Sequence, residues 1–253
     1  MTEYDWIEGR QPVLELLRSG QPINKLLLVK GGRDRPLQQI VQLAKQRGVV
    51  VQEVDRRYLD KLSATGRHQG VAAQIAGVEY AELDDLLAGA PDPDWAPFLV
   101  VLDGLQDPHN LGSLLRSAEA ARVGGVIIPK RRAVGVTPVV AKVSAGALSY
   151  VPVARVANIP RAIDELKAAG FWVVGADMDG ELCYEQDLTG PIALVIGAEG
   201  EGLSRLVKEK CDFLTRIPML GQISSLNAGV AGALLMFEVV RQRTQKGGGS
   251  PLA

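Results

Sequence analysis

The chain has 253 residues, of which 47 % are hydrophobic and 23 % are charged, and its 28 Lys and Arg residues against 29 Asp and Glu residues give a formal net charge of −1. This composition excludes a disordered chain, a collagen-like repeat and a disulfide scaffold, and the length fits one large domain or two ordinary ones. The two cysteines, Cys183 and Cys211, are too far apart in sequence for a redox pair, and with only two histidines they do not predict a structural zinc site.

The net charge hides an uneven distribution along the chain. Residues 1–76 carry 12 basic and 8 acidic side chains, residues 77–95 carry 6 acidic side chains and no basic one, and residues 96–253 carry 16 basic and 15 acidic ones. The acidic stretch ends in a Pro/Asp cluster, which disfavours regular structure. We therefore predict an N-terminal domain over 1–76, an acidic linker over 77–95 with a short helix at 80–87, a C-terminal domain over 96–245 and a disordered Gly-rich tail over 246–253.

In the N-terminal domain, apolar residues at helical spacing alternate with short apolar runs. The pattern predicts, in chain order, a helix over 11–18, a strand over 26–29, a helix over 37–46, a strand over 49–51, a helix over 57–62 and a strand over 71–73. We therefore expect a small α/β sandwich.

The strands of the C-terminal domain are continuous apolar runs at 98–102, 125–128, 172–174, 192–196 and 213–217. Helical patterns lie between them at 111–122, 159–169 and 202–208, and a helix of small residues follows the last strand and runs to 241. Unbroken apolar strands that alternate with helices indicate a parallel sheet covered on both faces, in which ligands bind at the carboxyl ends of the strands.

The sequence carries no membrane signal. It starts without the basic and then apolar layout of a signal peptide, and its longest apolar run, residues 228–237, is too short to cross a bilayer. Two separated thiols fit a reducing compartment. We therefore expect a cytoplasmic protein without a membrane partner.

A polar patch over residues 103–116 follows the first strand of the C-terminal domain. Asn110 is placed to cap the next helix, and Arg116 lies less than two turns into that helix. The patch is either an ordinary strand-to-helix turn with one solvated arginine or part of a site, since loops at sheet ends often carry function.

A glycine-rich patch at 197–202, with the sequence GAEGEG, follows the strand at 192–196. Glycines allow a ligand to approach the backbone closely, but the spacing matches neither the dinucleotide fingerprint nor the phosphate loop. The two carboxylates favour a neutral or cationic ligand, such as a sulfonium, over a phosphate. A plain tight turn is the alternative.

A third patch spans residues 217–233, where Ser224, Ser225 and Asn227 open the last helix. Either serine could be the N-cap of this helix. The small residues that follow allow the helix to pack tightly against other backbone, as at a crowded site or a dimer seam.

Two other enzyme classes are disfavoured by these residues. A serine hydrolase of the common type has a G-x-S-x-G elbow, which the sequence lacks, and only His68 and His109 could serve as its base. Glu199 and Glu201 have no histidine nearby to complete a metal site, so we expect no metal.

Together and in this order, the three patches resemble the three motifs of the SpoU (TrmH) branch of the SPOUT RNA 2′-O-methyltransferases. The matching segments are 107–112 with Arg116, 197–203, and 217–219 with 224–227. Residues 7–13 and 67–71 resemble the substrate-binding domain of this branch, so the resemblance covers essentially the whole chain. Within the branch, the chain is most similar to enzymes that methylate a guanosine 2′-hydroxyl in the peptidyl-transferase P loop of bacterial 23S ribosomal RNA.

The resemblance implies an S-adenosylmethionine methyl donor and a homodimer. It also implies that the parallel sheet of the C-terminal domain carries a trefoil knot and that the N-terminal domain is similar to ribosomal protein L30e. The donor is implied to lie against backbone around Gly197, Ile217 and Leu226, with Ile196 and Met219 lining its pocket.

The residues implied at the methyl-transfer site are polar: Asn110, Arg116, Glu199, Ser225 and Asn227. The chain departs from the family pattern directly after them, because residues 228–231 read AGVA where the family usually has Val-Ser-Val-Ala. We expect Gly229 to cost its helix about 1 kcal/mol relative to alanine.

Two alternatives stay open from the sequence. One is a related methyltransferase that acts on transfer RNA or on another ribosomal RNA site, as resistance enzymes do, and the other is a non-catalytic RNA-binding or ribosome-assembly protein. The candidates for RNA contact are basic: Arg10, Arg33, Arg35, Arg56, Arg57, Arg67 and residues 130–132.

Overall fold

The computed structural model describes residues 6–19, 23–32, 34–63, 66–75, 80–88, 95–222 and 225–246. The chain forms two compact units, the smaller ending at Glu79 and the larger beginning at Tyr80. Among the helices that the structure describes, none is long and apolar enough to cross a membrane.

The smaller unit is a four-stranded sheet with three helices. Its strands are β1 (Trp6–Glu8), β2 (Ile23–Val29), β3 (Val50–Val54) and β4 (Val71–Ile75), and its helices are α1 (Arg10–Ser19), α2 (Arg35–Gln46) and α3 (Arg56–Leu62). The strand order is β1-β4-β2-β3, with β2 and β3 parallel and the other pairs antiparallel. All six predicted elements are present; the sequence pattern did not show β1, because three half-buried residues are too few to show periodicity.

The larger unit contains six strands in the order β10-β8-β9-β5-β6-β7, all parallel. The strands are β5 (Phe98–Asp103), β6 (Gly125–Pro129), β7 (Val153–Val156), β8 (Trp172–Leu182), β9 (Ile192–Gly197) and β10 (Phe213–Arg216). The helices are α4 (Leu83–Leu87), α5 (Pro108–Ala120), α6 (Pro138–Val143), α7 (Ile159–Ala168), α8 (Arg205–Lys210) and α9 (Ala228–Lys246). The predicted α/β class and parallel sheet are confirmed.

Helices cover both faces of this sheet. On one face, α4, α7 and α8 bury Leu86, Ile163 and Val207 against alternate strand residues such as Val101 and Val195. On the other face, α5 packs against α6 and α9. Because α5 and α9 start in two of the polar patches, this packing brings those patches to one face of the sheet.

One strand and one α-helix of the larger unit were not predicted. β7 is only four residues long and includes Arg155, and α6 is rich in β-branched valine, so neither shows a clear period. Thr137 defines the start of α6, since its hydroxyl accepts a hydrogen bond from the backbone N–H of Val140 at 3.3 Å.

Residues within the predicted acidic linker belong to the larger unit. The Tyr80 hydroxyl accepts a hydrogen bond from the backbone N–H of Val136 at 3.0 Å, Ala81 pairs with Ala154, and Leu86 is buried. Over residues 80–88 the chain is therefore part of the domain rather than a free connection. At the other end, α9 extends to Lys246, and the rest of the predicted tail lies outside the described residues.

Candidate active site

Helix α5 begins earlier than the sequence suggested. Asp107 is its N-cap, and the Asp107 carboxylate accepts a hydrogen bond from the backbone N–H of His109 at 2.9 Å. Pro108 fits the first position because it has no N–H to satisfy there. The prediction that Asn110 caps the helix is therefore wrong; Asn110 lies in the first turn, 5 % exposed, with its side chain free for other contacts.

Helix α9 is capped by Asn227. The Asn227 side-chain oxygen accepts hydrogen bonds from the backbone N–H groups of Gly229 at 3.0 Å and Val230 at 3.3 Å. Ser225 is exposed and precedes the cap by two residues, so it is not the cap, and Ser224 lies outside the described residues. One amide therefore fixes the helix start with its oxygen and leaves its Nδ2 group for the site.

Asn110, Glu199 and Asn227 form a closed hydrogen-bonded ring, which we call the Asn-Glu-Asn cluster. Asn227 Nδ2 donates to Asn110 Oδ1 at 2.9 Å and to Glu199 Oε1 at 3.4 Å, and Asn110 Nδ2 donates to Glu199 Oε2 at 3.2 Å. Each residue comes from a different polar patch. The ring holds the Glu199 carboxylate by two amide donors while Glu199 stays exposed to solvent.

The glycine-rich loop that carries Glu199 is closed on itself. Ala198 and Gly202 exchange backbone hydrogen bonds of 3.0 and 2.9 Å, and a Cβ on Gly197 would lie 2.1 Å from the carbonyl carbon of Gly202. Gly200, at φ +81°, takes a conformation that glycine adopts without strain. The glycines thus allow the two ends of the loop to approach each other closely. The resulting tight turn holds Glu199 at the surface.

Helices α5 and α9 approach closely beside the cluster. A Cβ on Gly229 would lie 2.6 Å from the Ser113 hydroxyl and 3.4 Å from Asn110 Oδ1, and a Cβ on Gly232 would lie 2.5 Å from Ile196 Cδ1. The expected loss of helix propensity at Gly229 is therefore only part of its effect, because any side chain there would displace its neighbours.

The other predicted donor-site residues lie at or near the carboxyl edge of the sheet. Ile196 and Gly197 are buried at the end of β9, and Ile217 and Met219 follow β10 half-buried. Leu226 precedes the α9 cap and is 37 % exposed. The ends of β9 and β10 are two strands apart, about 10 Å at ordinary strand spacing.

Arg116 does not join the cluster. Six residues after Asn110, it lies about 240° further round α5 and is exposed. Within the part of the chain that the structure describes, its guanidinium has no hydrogen-bond or ion-pair partner.

Sequence reasoning missed two aspartates that hold this edge together. Asp107 could have been found from the Asp-Pro pair at a helix start. Asp103 ends β5, and its carboxylate accepts a hydrogen bond from the backbone N–H of Ser204 at 2.7 Å. This contact ties the end of the glycine-rich loop to the neighbouring strand.

A surface cavity of about 500 Å³ lies elsewhere in the larger unit, between β8 and β10. Its lining includes Asp179, Glu181 and Asp187, and none of the predicted site residues. A hydrogen bond from Lys208 lowers the pKa of Asp179, so this carboxylate stays charged at neutral pH and the lining disfavours phosphate. Among the described residues there is no group of three or more metal-ligating side chains.

In the smaller unit, one candidate for RNA contact is already engaged. The Arg10 guanidinium donates to the Asp34 carboxylate at 2.6 Å and to the Gln69 carbonyl at 3.1 Å. Arg35, Arg56 and Arg57 are exposed, and Arg33 lies outside the described residues.

Comparison with known proteins accounts for both units. Residues 97–237 match the SpoU rRNA Methylase family, and residues 6–81 match the domain family described as RNA 2′-O ribose methyltransferase substrate binding. The chain belongs to the SpoU methylase family. All three motifs of the SpoU resemblance fall inside the first match, and this confirms the family predicted from the sequence.

Full-length relatives and solved structures agree with this assignment. A Bacillus subtilis (strain 168) protein named as a TrmH family tRNA/rRNA methyltransferase, YacO, is 49 % identical over 246 residues, which cover 97 % of this chain and 98 % of that protein. The SpoU methyltransferase AviRb from Streptomyces viridochromogenes, solved with AdoMet, matches with a TM-score of 0.61 and 27 % identity over 96 % of this chain and 91 % of its own. An AdoMet-bound rRNA methyltransferase from Sinorhizobium meliloti matches with a TM-score of 0.60 and 26 % identity over 94 % and 87 %. As a SpoU family member, the chain is an RNA methyltransferase.

Proposed function

We propose that this SpoU family protein transfers the methyl group of S-adenosylmethionine to a ribose 2′-hydroxyl of RNA, and that its substrate is a guanosine of 23S ribosomal RNA. The observation that carries the proposal is the Asn-Glu-Asn cluster, which unites one residue from each family motif. The substrate-binding domain match and two neighbours solved with AdoMet support the RNA substrate and the donor.

The residues of the carboxyl edge fit a cationic donor with an apolar body. The Glu199 carboxylate supplies an exposed negative charge, and Ile217 and Met219 supply half-buried apolar surface. When bound, the donor supplies an electrophilic methyl group on a sulfonium. The residues proposed to hold it are those of the strand ends and the cap: Ile196, Gly197, Ile217, Met219 and Leu226.

Methyl transfer forms a carbon–oxygen bond at the ribose and breaks the carbon–sulfur bond, while the hydroxyl proton leaves to water. The acceptor must lie in line with the methyl group, so catalysis depends on fixed positions. Asn110 and Asn227 keep Glu199 in place. We assign Ser225, an exposed residue two positions before Asn227, to bond the ribose. A guanidinium does not lose its proton in proteins, so we assign Arg116 to hold a neighbouring phosphate and stabilise the developing alkoxide.

We also propose that the active form is a homodimer that uses α9. Val230, Leu234 and Phe237 follow each other at i, i+4 and i+7 on this helix and are 48, 49 and 46 % exposed. A second copy that covers this stripe would lie beside α5, which packs against α9 and carries Arg116. Sedimentation should give a dimer that Phe237→Asp dissociates, whereas Leu206→Asp, at an equally exposed leucine on α8, should not; a monomeric wild type contradicts the dimer.

Mapping of 2′-O-methyl nucleotides by mass spectrometry in a deletion strain tests the reaction and substrate together. We expect one guanosine of 23S ribosomal RNA to lose its methyl group. Loss of a transfer RNA methyl group instead would overturn the substrate assignment, and no change at any site would overturn the activity. Calorimetric titration with S-adenosylmethionine separates an enzyme from a pure RNA binder, which has no need of the donor.

The role of Arg116 is tested by Arg116→Lys, which keeps the charge and loses the planar fork. We expect methyl transfer at saturating RNA to fall by at least about tenfold, because a lysine cannot replace a bidentate contact. Tritium transfer from labelled donor measures the rate. Arg161→Lys, at an exposed arginine on α7, is the control, and equal rates for the two variants would contradict the assigned role.

A further inference from the structure

A second basic feature lies on the same sheet edge as the Asn-Glu-Asn cluster. Residues 130–132, Lys-Arg-Arg, directly follow β6, and we call them the basic loop. β6 neighbours β5, which neighbours β9, the strand that leads to Glu199. In the sheet, Asp103 of β5 pairs with Gly197 of β9, and Val101 of β5 pairs with Ile127 of β6. The carboxyl ends of these three strands therefore lie side by side at the same edge of the sheet. The basic loop therefore starts about 10 Å from the end of β9, two strand spacings away.

The backbone of the basic loop is fixed from both sides. Gln106 Nε2 donates to the Arg132 carbonyl at 3.0 Å, and the backbone N–H of Lys130 donates to the Val156 carbonyl at 2.8 Å. Arg132 has a φ of +58°, which is uncommon for a residue with a side chain and is held here by the bond from Gln106. Gln106 directly precedes Asp107, the N-cap of α5, and α5 carries Asn110 of the cluster. The segment that leads into α5 therefore contacts the basic loop as well.

The arginine side chains of this loop differ from most other arginine side chains of the larger unit. Seven of its ten arginines contact a carboxylate, a backbone carbonyl or an aromatic ring: Arg122, Arg155, Arg161, Arg205, Arg216, Arg241 and Arg243. The other three, Arg116, Arg131 and Arg132, have no partner in the described part of the chain, and all three are exposed. The loop thus presents two free guanidinium groups on a fixed backbone.

Two free guanidinium groups on a rigid backbone fit phosphodiester groups. The planar guanidinium of arginine can donate two hydrogen bonds to two oxygens of one phosphate. A backbone that is already fixed reduces the conformational entropy lost on binding. An RNA strand carries a phosphate at every nucleotide, so a strand that runs from the cluster toward β6 brings flanking phosphates within reach of the basic loop.

We propose that Arg131 and Arg132 form a phosphate-binding subsite for the RNA strand on one side of the target ribose. This inference rests on the proposed function and adds a contact on the catalytic unit itself. The subsite acts on RNA affinity and strand register, and the chemistry of methyl transfer stays with the cluster and Arg116.

The test uses Arg131→Gln, Arg132→Gln and the double variant, with Arg122→Gln as matched control. Arg122 lies three residues before β6, and Arg132 lies three residues after it. Both residues are exposed, and their φ angles are similar, +55° for Arg122 and +58° for Arg132. Because Arg122 lies at the amino end of the strand, its charge is remote from the proposed subsite. Urea midpoints of the Arg131 and Arg132 variants equal to that of the wild type establish that their folding is unaffected. Arg122→Gln also loses a contact with the Trp95 ring, so its own midpoint shows whether it is still folded under the assay conditions.

Steady-state methylation of a 23S ribosomal RNA transcript gives the first readout. The double variant should raise the KM for RNA by at least about tenfold, whereas the KM for the donor and kcat at saturating RNA change by less than about twofold. Arg122→Gln should leave all three constants unchanged. A fall in kcat with an unchanged KM for RNA would overturn the proposal, since it would place the loop in the chemistry.

Equilibrium binding of a short labelled single-stranded RNA at several salt concentrations gives a readout that needs no turnover. Loss of two phosphate contacts should make the slope of log affinity against log salt shallower by about 1.4, at about 0.7 per contact for a single strand. An unchanged slope would overturn the subsite even if the enzyme methylates RNA. If the wild type methylates no RNA, the proposed function fails, and the salt slope still decides whether the basic loop binds phosphate.

Discussion

Asn227 holds the candidate site together by two kinds of contact, and Asn227→Asp separates them. The new carboxylate keeps the acceptor oxygen that caps α9 through Gly229 and Val230. It loses the Nδ2 donor and places an oxygen 2.9 Å from Asn110 Oδ1 and 3.4 Å from Glu199 Oε1. The substitution therefore preserves the helix start and turns two attractive contacts into repulsive ones.

The expected cost has two parts. Loss of two side-chain hydrogen bonds amounts to about 1–3 kcal/mol at 0.5–1.5 kcal/mol each. Two unit charges at the separation of the present bond repel by about 1 kcal/mol in a water-like dielectric, which is the appropriate limit because Glu199 is exposed. We expect Asn227→Asp to lower the free energy of unfolding by about 2–4 kcal/mol.

A double-mutant cycle with Glu199→Gln tests the contact itself. A glutamine at 199 removes one charge and can donate to the aspartate, so it should return at least about 1 kcal/mol to the Asn227→Asp protein. Urea unfolding at low salt measures all four proteins, and high salt should shrink the repulsive part. Methyl transfer should stay low in the double variant, because the Glu199 carboxylate is gone.

Asn158→Asp is the matched control for this cycle. Asn158 caps α7 in the same way, with its side-chain oxygen accepting from Arg161 N–H at 2.9 Å, and is exposed. An aspartate there should be neutral or slightly stabilising through the helix dipole. Additive effects of the Asn227 and Glu199 substitutions, within about 0.3 kcal/mol, would refute the reasoning.

Three further predictions concern packing and reactivity. Gly229→Ala should destabilise the protein by about 1–3 kcal/mol in urea unfolding despite its better helix propensity, and Ser113→Gly should relieve that loss; a stabilised Gly229→Ala would contradict the close approach of α5 and α9. Arg243 donates to the carbonyls of Ala96 at 2.6 Å and Gly190 at 2.7 Å, and burial lowers its pKa to about 10, so it stays charged at neutral pH. Arg243→Met removes the donor to both carbonyls and should cost about 1–3 kcal/mol by the same assay, and a stabilised variant would show that these bonds are dispensable. Burial raises the pKa of Cys211 to about 12, so iodoacetamide at pH 8 should label this half-buried thiol far more slowly in the folded protein than in urea, as measured by mass spectrometry. Equal labelling rates in the two conditions would contradict this prediction.

The sequence alone determined the class of the fold, the parallel sheet and the family. Buried strands of a parallel sheet are continuous apolar runs, so β5, β6 and β9 were recognised within one residue of their ends. The three motifs were visible because each is a local string of unusual residues after such a run. Short elements with mixed composition, such as β7 and α6, were missed for lack of a period.

Only the tertiary structure decided how the motif residues combine. Asn110, Glu199 and Asn227 meet because β9 lies beside β5 and because Gly229 allows α9 to approach α5. The same strand order places the basic loop near the cluster, and Arg131 and Arg132 are two of the three arginines of the larger unit whose side chains have no partner among the described residues. Strand order and helix approach arise from packing between distant segments, so no local pattern encodes them, whereas each strand and motif is encoded by its own neighbouring residues.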